Sequence, residues 1–127
     1  MRILLDTNRY TDMARGDVFV VETIAAADET FIPIFVLGEL RAGFLGGSRA
    51  AENEKILKAF LNKSTVRVLA PDELTTVHYA TIYQQLRRAG TPIPTNDMWI
   101  AALTSQHALA LFARDVHFDR LPQLVRI

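Results

Sequence analysis

Ile3, Leu4 and Leu5 form an unbroken apolar run that stops at a carboxylate, a hydroxyl and an amide, those of Asp6, Thr7 and Asn8. Apolar residues in succession, without alternation, are what a strand needs when both of its faces are covered, as in the middle of a parallel sheet. Asp6 stands where that strand ends. In open α/β sheets ligands bind beyond the carboxyl ends of the strands, so an acid placed there is a site candidate. A local explanation is equally open, in which Asp6 or Thr7 caps the helix that follows. The rest of the chain has to decide between them.

Taken in order, the chain alternates strand and helix. The spacing predicts a short helix from Asn8 to about Arg15, closed by Gly16, and a second from Asp17 to Ala27. Phe31-Ile32-Pro33 reads as a strand that the proline ends. A helix follows from Ile34 to about Phe44, with Glu39 set among Phe35, Val36, Leu37 and Leu40. Leu45-Gly46-Gly47 forms a joint, and Ser48 is the expected N-cap of an amphipathic helix reaching Lys63. Val66 to Leu69 is the third strand; Pro71 and Asp72 open a long helix that stops at Gly90, where Arg87 and Arg88 complement its dipole. Thr91-Pro92-Ile93-Pro94 is extended, and Thr95 or Asn96 is the expected cap of an apolar, buried helix ending near His107. Ala108 to Phe112 is the fourth strand, His117-Phe118-Asp119 makes one helical turn, and Leu124 to Ile127 alternates like an edge strand. This alternation predicts an α/β fold, one domain over residues 1–127. Its mostly parallel sheet of about five strands is joined by right-handed crossovers, with helices on both faces.

Half of the residues are hydrophobic, enough for a core without cross-links, and cysteine is absent, which excludes a disulfide framework and thiolate metal sites. No stretch resembles a signal peptide or approaches the roughly 18 apolar residues of a membrane span. A cytoplasmic protein without membrane attachment is expected. Lys plus Arg and Asp plus Glu both number 14, so the net field does not advertise a nucleic-acid partner. Eleven of those cations are Arg, which leaves local bidentate contacts to phosphate open.

Four acids stand where local structure does not fully account for them: Asp6 after the first strand, Glu39 in an apolar helix, Asp97 opening a buried helix, and Asp115 after the fourth strand. If the first and fourth strands are neighbours where the sheet reverses its order, Asp6 and Asp115 face each other across its carboxyl edge and all four converge. Carboxylates crowded together repel, and a divalent cation reverses that penalty. Oxygen ligands without Cys or an organised His set favour Mg²⁺ or Mn²⁺ over zinc. A metal so held activates a water and stabilises charge on a phosphoryl group, so the implied chemistry is metal-assisted phosphodiester hydrolysis. Each acid also has a local explanation: Asp97 suits a helix first turn, Asp115 an ordinary turn, and Glu39 an exposed stripe beside Arg41. His78, His107 and His117 lack ligand spacing and read as structural or surface residues. Trp99 reads as core packing, and Arg9, Arg41 and Arg114 as surface ion pairs or phosphate contacts.

Leu5-Asp6-Thr7-Asn8, Glu39 within Val36-Leu37-Gly38-Glu39-Leu40, Asn96-Asp97 ahead of Trp99-Ile100-Ala101-Ala102, and Arg114-Asp115-Val116-His117-Phe118 together resemble the motifs of PIN-domain ribonucleases. Their length and layout are most similar to the VapC toxins of toxin-antitoxin pairs. The resemblance implies a Mg²⁺- or Mn²⁺-dependent endoribonuclease acting on RNA, leaving 5′-phosphate and 3′-hydroxyl ends, and restrained by a cognate antitoxin. It further implies a homodimer, with DNA engaged only indirectly through the antitoxin, whose arm would lie along the helices between Ser48 and Gly90. Asp6, Glu39, Asp97 and Asp115 carry over as the catalytic acids, with Asp6, Asp97 and Asp115 as metal ligands. Thr7 and Asn8 carry over as residues holding Asp6. The family usually has Ser or Thr two residues before the fourth acid, where this chain has Ala113, and Asp119 is therefore kept as a supporting candidate.

Two other classes compete. A catalytically degenerate PIN domain would bind an antitoxin or RNA without cutting, which retention of all four acids opposes. A phosphotransferase or receiver would use Asp6 as nucleophile, but the residue two positions on is Asn8 and the only lysines, Lys55, Lys58 and Lys63, share one helix.

Overall fold

The computed structural model describes residues 1–127. Its centre is a sheet of five strands in the order β3-β2-β1-β4-β5, all pairs parallel. The strands are β1 (Arg2–Leu5), β2 (Glu29–Pro33), β3 (Val66–Leu69), β4 (Ala110–Phe112) and β5 (Val125–Arg126). Ile3, Leu4 and Leu5 are almost wholly buried, as their unbroken apolar run requires. β1 sits between β2 and β4, with Leu5 in register with Phe112. The chain winds outward from β1 to β3 and then returns to add β4 on the other side, so the order reverses at the β1–β4 pair.

Six α-helices connect the strands: α1 (Thr7–Ala14), α2 (Val18–Ala26), α3 (Ile34–Leu45), α4 (Ala50–Leu61), α5 (Glu73–Ala89) and α6 (Thr95–Gln106). Right-handed crossovers put the first four on one face, and the reversal puts α5 and α6 on the other. The packing agrees: α3 lies on α1 and α4, while α5 lies along α6. The start of α5 is tied to the end of α6, because Asp72 and Thr75 form a reciprocal cap and Gln106 bonds to both. α6 buries Met98 and Ile100 through Thr104. No helix is long and apolar enough to cross a membrane.

Several boundaries differ from the sequence reading. Arg49, not Ser48, precedes the first residue of α4, because the Gly46-Gly47 turn carries the loop one residue further. Pro94 occupies the N-cap position of α6, with neither Thr95 nor Asn96 closing it; the Asn96 amide is drawn to Glu39 instead. β4 begins at Ala110 because Ala108 adopts a left-handed conformation, φ 51°, that turns the chain out of α6. The helices between Ser48 and Gly90 do not enclose a common groove: α4 packs chiefly on α3 and α5 chiefly on α6.

Candidate active site

The carboxyl edge of β1 and β4 gathers the motif residues. Asp6 follows β1 directly, and its backbone N–H donates to the Phe112 carbonyl of β4 at 3.2 Å, so the two strand ends are clamped side by side. Asp6 holds the N-cap position of α1, yet its side chain makes no cap hydrogen bond. The capping explanation therefore does not account for it. The residue is only 7% exposed. Burial, followed by the charges of Asp97, Glu39 and Asp115, pushes its carboxyl up to about 6, against the opposing pull of the Thr7 backbone N–H. Acids from four separate segments thus act on one another at a single place.

Glu39 projects from α3 and its two carboxylate oxygens are used separately. Oε2 accepts from the Thr7 hydroxyl at 2.6 Å, and Oε1 accepts from the Asn96 amide. Its carboxylate therefore joins the first residues of α1 and α6. Thr7 was expected to hold Asp6 with its side chain; its hydroxyl is committed to Glu39, and only its backbone N–H serves Asp6. Asn8 is exposed and makes no side-chain hydrogen bond, so it does not hold Asp6.

Asp97 lies in the first turn of α6, where burial raises its carboxyl above the ordinary range despite a bond to His117. His117 Nδ1 lies 3.0 Å from Asp97 Oδ2 and 3.1 Å from Asp115 Oδ1. Asp115 Oδ1 also accepts the His117 backbone N–H at 2.9 Å, capping the 3₁₀ turn over Val116–Arg120. The turn explanation of Asp115 is thus correct as far as it goes. It is also what aims the carboxylate, because the same turn brings the imidazole between two acids. His117 was read as a structural or surface residue; its place in the site could have been found from its spacing to Asp115 within one turn.

Ala113 contributes no hydroxyl, and Arg126 of β5 supports the loop in its place. Arg126 Nη2 donates to the carbonyls of Ala113 at 2.8 Å and Asp115 at 3.3 Å, while Nη1 bonds Asp119 at 2.6 Å. Asp119 is accordingly engaged with Arg126 and stands apart from the other acids; it does not replace Asp115. Arg9 and Arg114 both pair with Asp12, and Arg41 with Glu54, so all three arginines beside the motifs are ion-paired. Trp99 is half-buried in an aromatic stack, 4.2 Å from Tyr79 and 6.4 Å from Phe35 between ring centres.

The donor set is oxygen-rich, carries uncompensated negative charge and holds a carboxyl destabilised in its ionised form, which fits a hard divalent cation. The profile of the PIN domain matches residues 3–124 of this chain. Ribonuclease VapC4 of Mycobacterium tuberculosis is 29% identical to it over 99 residues, 78% of this chain and 76% of that protein. The crystal structure of VapBC2 from Rickettsia felis bound to a DNA fragment from their promoter contains a chain of the same fold. Its TM-score is 0.86 at 24% identity, covering 100% of this chain and 98% of that one. VapBC-5 of Mycobacterium tuberculosis, a member of the VapBC family of toxin-antitoxin systems, gives a TM-score of 0.76 at 24% identity, covering 99% and 98%.

Proposed function

The chain belongs to the PIN domain family, and from that membership we propose that it is a divalent-metal-dependent endoribonuclease, the toxin of a type II toxin-antitoxin pair. The observation that carries the reading is Asp6: a buried carboxylate with three further acids acting on it is costly to the fold unless a cation is bound there. Asp6, Asp97 and Asp115 are the residues that would hold Mg²⁺ or Mn²⁺. Such an ion supplies a Lewis acid that stabilises the negative charge developing on a phosphodiester during hydrolysis.

The protein's own contribution is placement. Glu39, by accepting from Thr7 and Asn96, sets the starts of α1 and α6 relative to each other, and with them Asp6 and Asp97. The 3₁₀ turn and Arg126 set Asp115. The acids alone repel RNA phosphate, so neutralising them is a condition for the substrate to approach as well as for its cleavage. The same electrostatics describes inhibition: an antitoxin arm that brings a Lys or Arg to these carboxylates satisfies them and bars the phosphate. Contact with promoter DNA is assigned to the antitoxin, and a cytoplasmic homodimer is part of the proposal. The exposed apolar residues Leu74 and Val77 on α5, and Val18 and Phe19 on α2, support surfaces for partner chains.

The test is cleavage of end-labelled RNA by the purified full chain. Activity is expected with Mg²⁺ or Mn²⁺, none with chelator, and a loss of at least about a hundredfold in Asp97→Asn with the far-UV circular dichroism unchanged. Undiminished cleavage by Asp97→Asn would remove the reading.

A further inference from the structure

We propose that His117 is a nitrogen ligand of the metal site, forming with Asp97 and Asp115 a mixed N/O triad that favours Mn²⁺ over Mg²⁺. The inference rests on the proposed nuclease reading and extends it to the choice of ion.

Three observations carry it. Asp97, Asp115 and His117 each present a donor atom, and the three atoms lie within 4.8 Å of one another. Donors about 2.1 Å from one octahedral ion lie about 3 Å apart when adjacent and about 4.2 Å apart when opposite. The distances of 3.0 and 3.1 Å from His117 Nδ1 to the two carboxylates are the adjacent spacing.

A hydrogen bond has the same length, but Nδ1 faces two carboxylate oxygens and carries at most one proton for them. One shared proton leaves at least half of the negative charge of the pair unanswered. A cation in the same gap meets both acids and takes the nitrogen lone pair, with the remaining proton on Nε2. The ring is also fixed by more than its own contacts: its backbone N–H is bonded to Asp115 and the next residue, Phe118, is fully buried.

The consequence concerns selectivity. Mg²⁺ binds oxygen in near-ideal octahedra and gains little from imidazole, whereas first-row transition ions accept nitrogen donors with rising affinity along the series that begins at Mn²⁺. The imidazole therefore separates two ions that a purely carboxylate site would treat more alike.

The experiment is pulsed electron paramagnetic resonance of Mn²⁺ bound to the full chain, with Mn²⁺ and Mg²⁺ titrations by calorimetry. The expected result is a ¹⁴N coupling of the magnitude of a directly bonded imidazole, switched to the ¹⁵N pattern by labelled histidine. The coupling disappears in His117→Ala and in His117→Asn, the second variant retaining a polar group for Asp97. Mn²⁺ affinity should fall about tenfold in both variants while Mg²⁺ affinity changes less than about threefold. Mn²⁺ bound to the wild type without nitrogen coupling, or equal losses for both ions, overturns the role of His117 and leaves the nuclease reading standing. Failure of both ions to bind the wild type overturns His117 as a ligand and the nuclease reading together.

Discussion

Asp6 is a buried acid whose ionised form the fold supports only through the Thr7 backbone N–H, and the sign of its effect on stability follows. An ordinary Asp titrates near 3.9 in the unfolded chain, whereas burial and three neighbouring acids push this one up to about 6. The folded state therefore binds the extra proton more tightly across that window, and stability falls as pH rises through it. Above the window the loss from this one group is about 3 kcal/mol. Thermal melts of the metal-free protein from pH 4 to pH 7.5 should show wild type falling relative to Asp6→Asn. The variant should be the more stable of the two at pH 7.5, by about 1–3 kcal/mol. Mn²⁺ should raise the wild-type melting temperature more at pH 7.5 than at pH 5 and leave Asp6→Asn nearly unmoved. A variant less stable than wild type throughout would mean that the Asp6 carboxylate is already satisfied. Asp6 was legible as a candidate because strand ends are visible in hydropathy. His117 offered only its two-residue spacing from Asp115 as a signal, since its meaning lies in a 3₁₀ turn that folds it back onto Asp115 and against a helix opening at Thr95.

At the scale of elements, the ends of α5 and α6 solve one problem with different residues. α5 closes on Gly90 at φ 67°, with the Thr91 N–H bonded to the Leu86 carbonyl at 3.0 Å. α6 closes the same way, Leu109 N–H to Thr104 carbonyl at 3.0 Å, but its left-handed residue is Ala108. An alanine in that conformation is strained, so Ala108→Gly should stabilise by about 0.5–1 kcal/mol, read as a higher denaturation midpoint at unchanged slope. No glycine marks the turn, which is why the sequence reading ran the fourth strand back to Ala108. The Gly90 stop, by contrast, was readable in advance.

The β5 strand is the second case. It is two residues long, yet Arg126 holds two carbonyls of the loop that carries Asp115. Arg126→Ala should cost about 1–3 kcal/mol, speed amide exchange across residues 113–119 and weaken metal binding, whereas Asp119→Ala should do much less. Equal effects of the two substitutions would shift the loop's support from the backbone contacts to the Asp119 ion pair.

For the whole molecule, the balance of 14 cations and 14 anions is repeated locally, since Arg9, Arg41 and Arg114 are already paired with Asp12 and Glu54. None of the three arginines beside the motifs is left free to neutralise a phosphate at the site, so RNA binding should depend weakly on salt. A log–log slope of KM against KCl no steeper than about +3 is expected at fixed metal concentration. A slope near about +6 would reveal a basic track not evident in these pairings. The α/β alternation and the parallel sheet were recoverable from hydropathy and the handedness of crossovers, while the pairing of the first and fourth strands entered only as the condition for the acids to converge, and the strand order meets it. What pattern could not supply was the assignment of polar partners. Thr7 turning to Glu39, and Asn96 leaving its helix end for the same carboxylate, are choices made only once distant segments meet.

The register of Leu5 with Phe112 spans most of the polypeptide. During synthesis the first strand emerges long before its fourth-strand neighbour, and the Arg126 brace leaves the ribosome later still. A partly translated chain thus lacks half of its reactive centre, whatever portion of the sheet has already condensed. The centre can therefore close only after the segments carrying Asp97, Asp115 and Arg126 have all emerged, so its assembly waits on the later part of the chain, not the earlier.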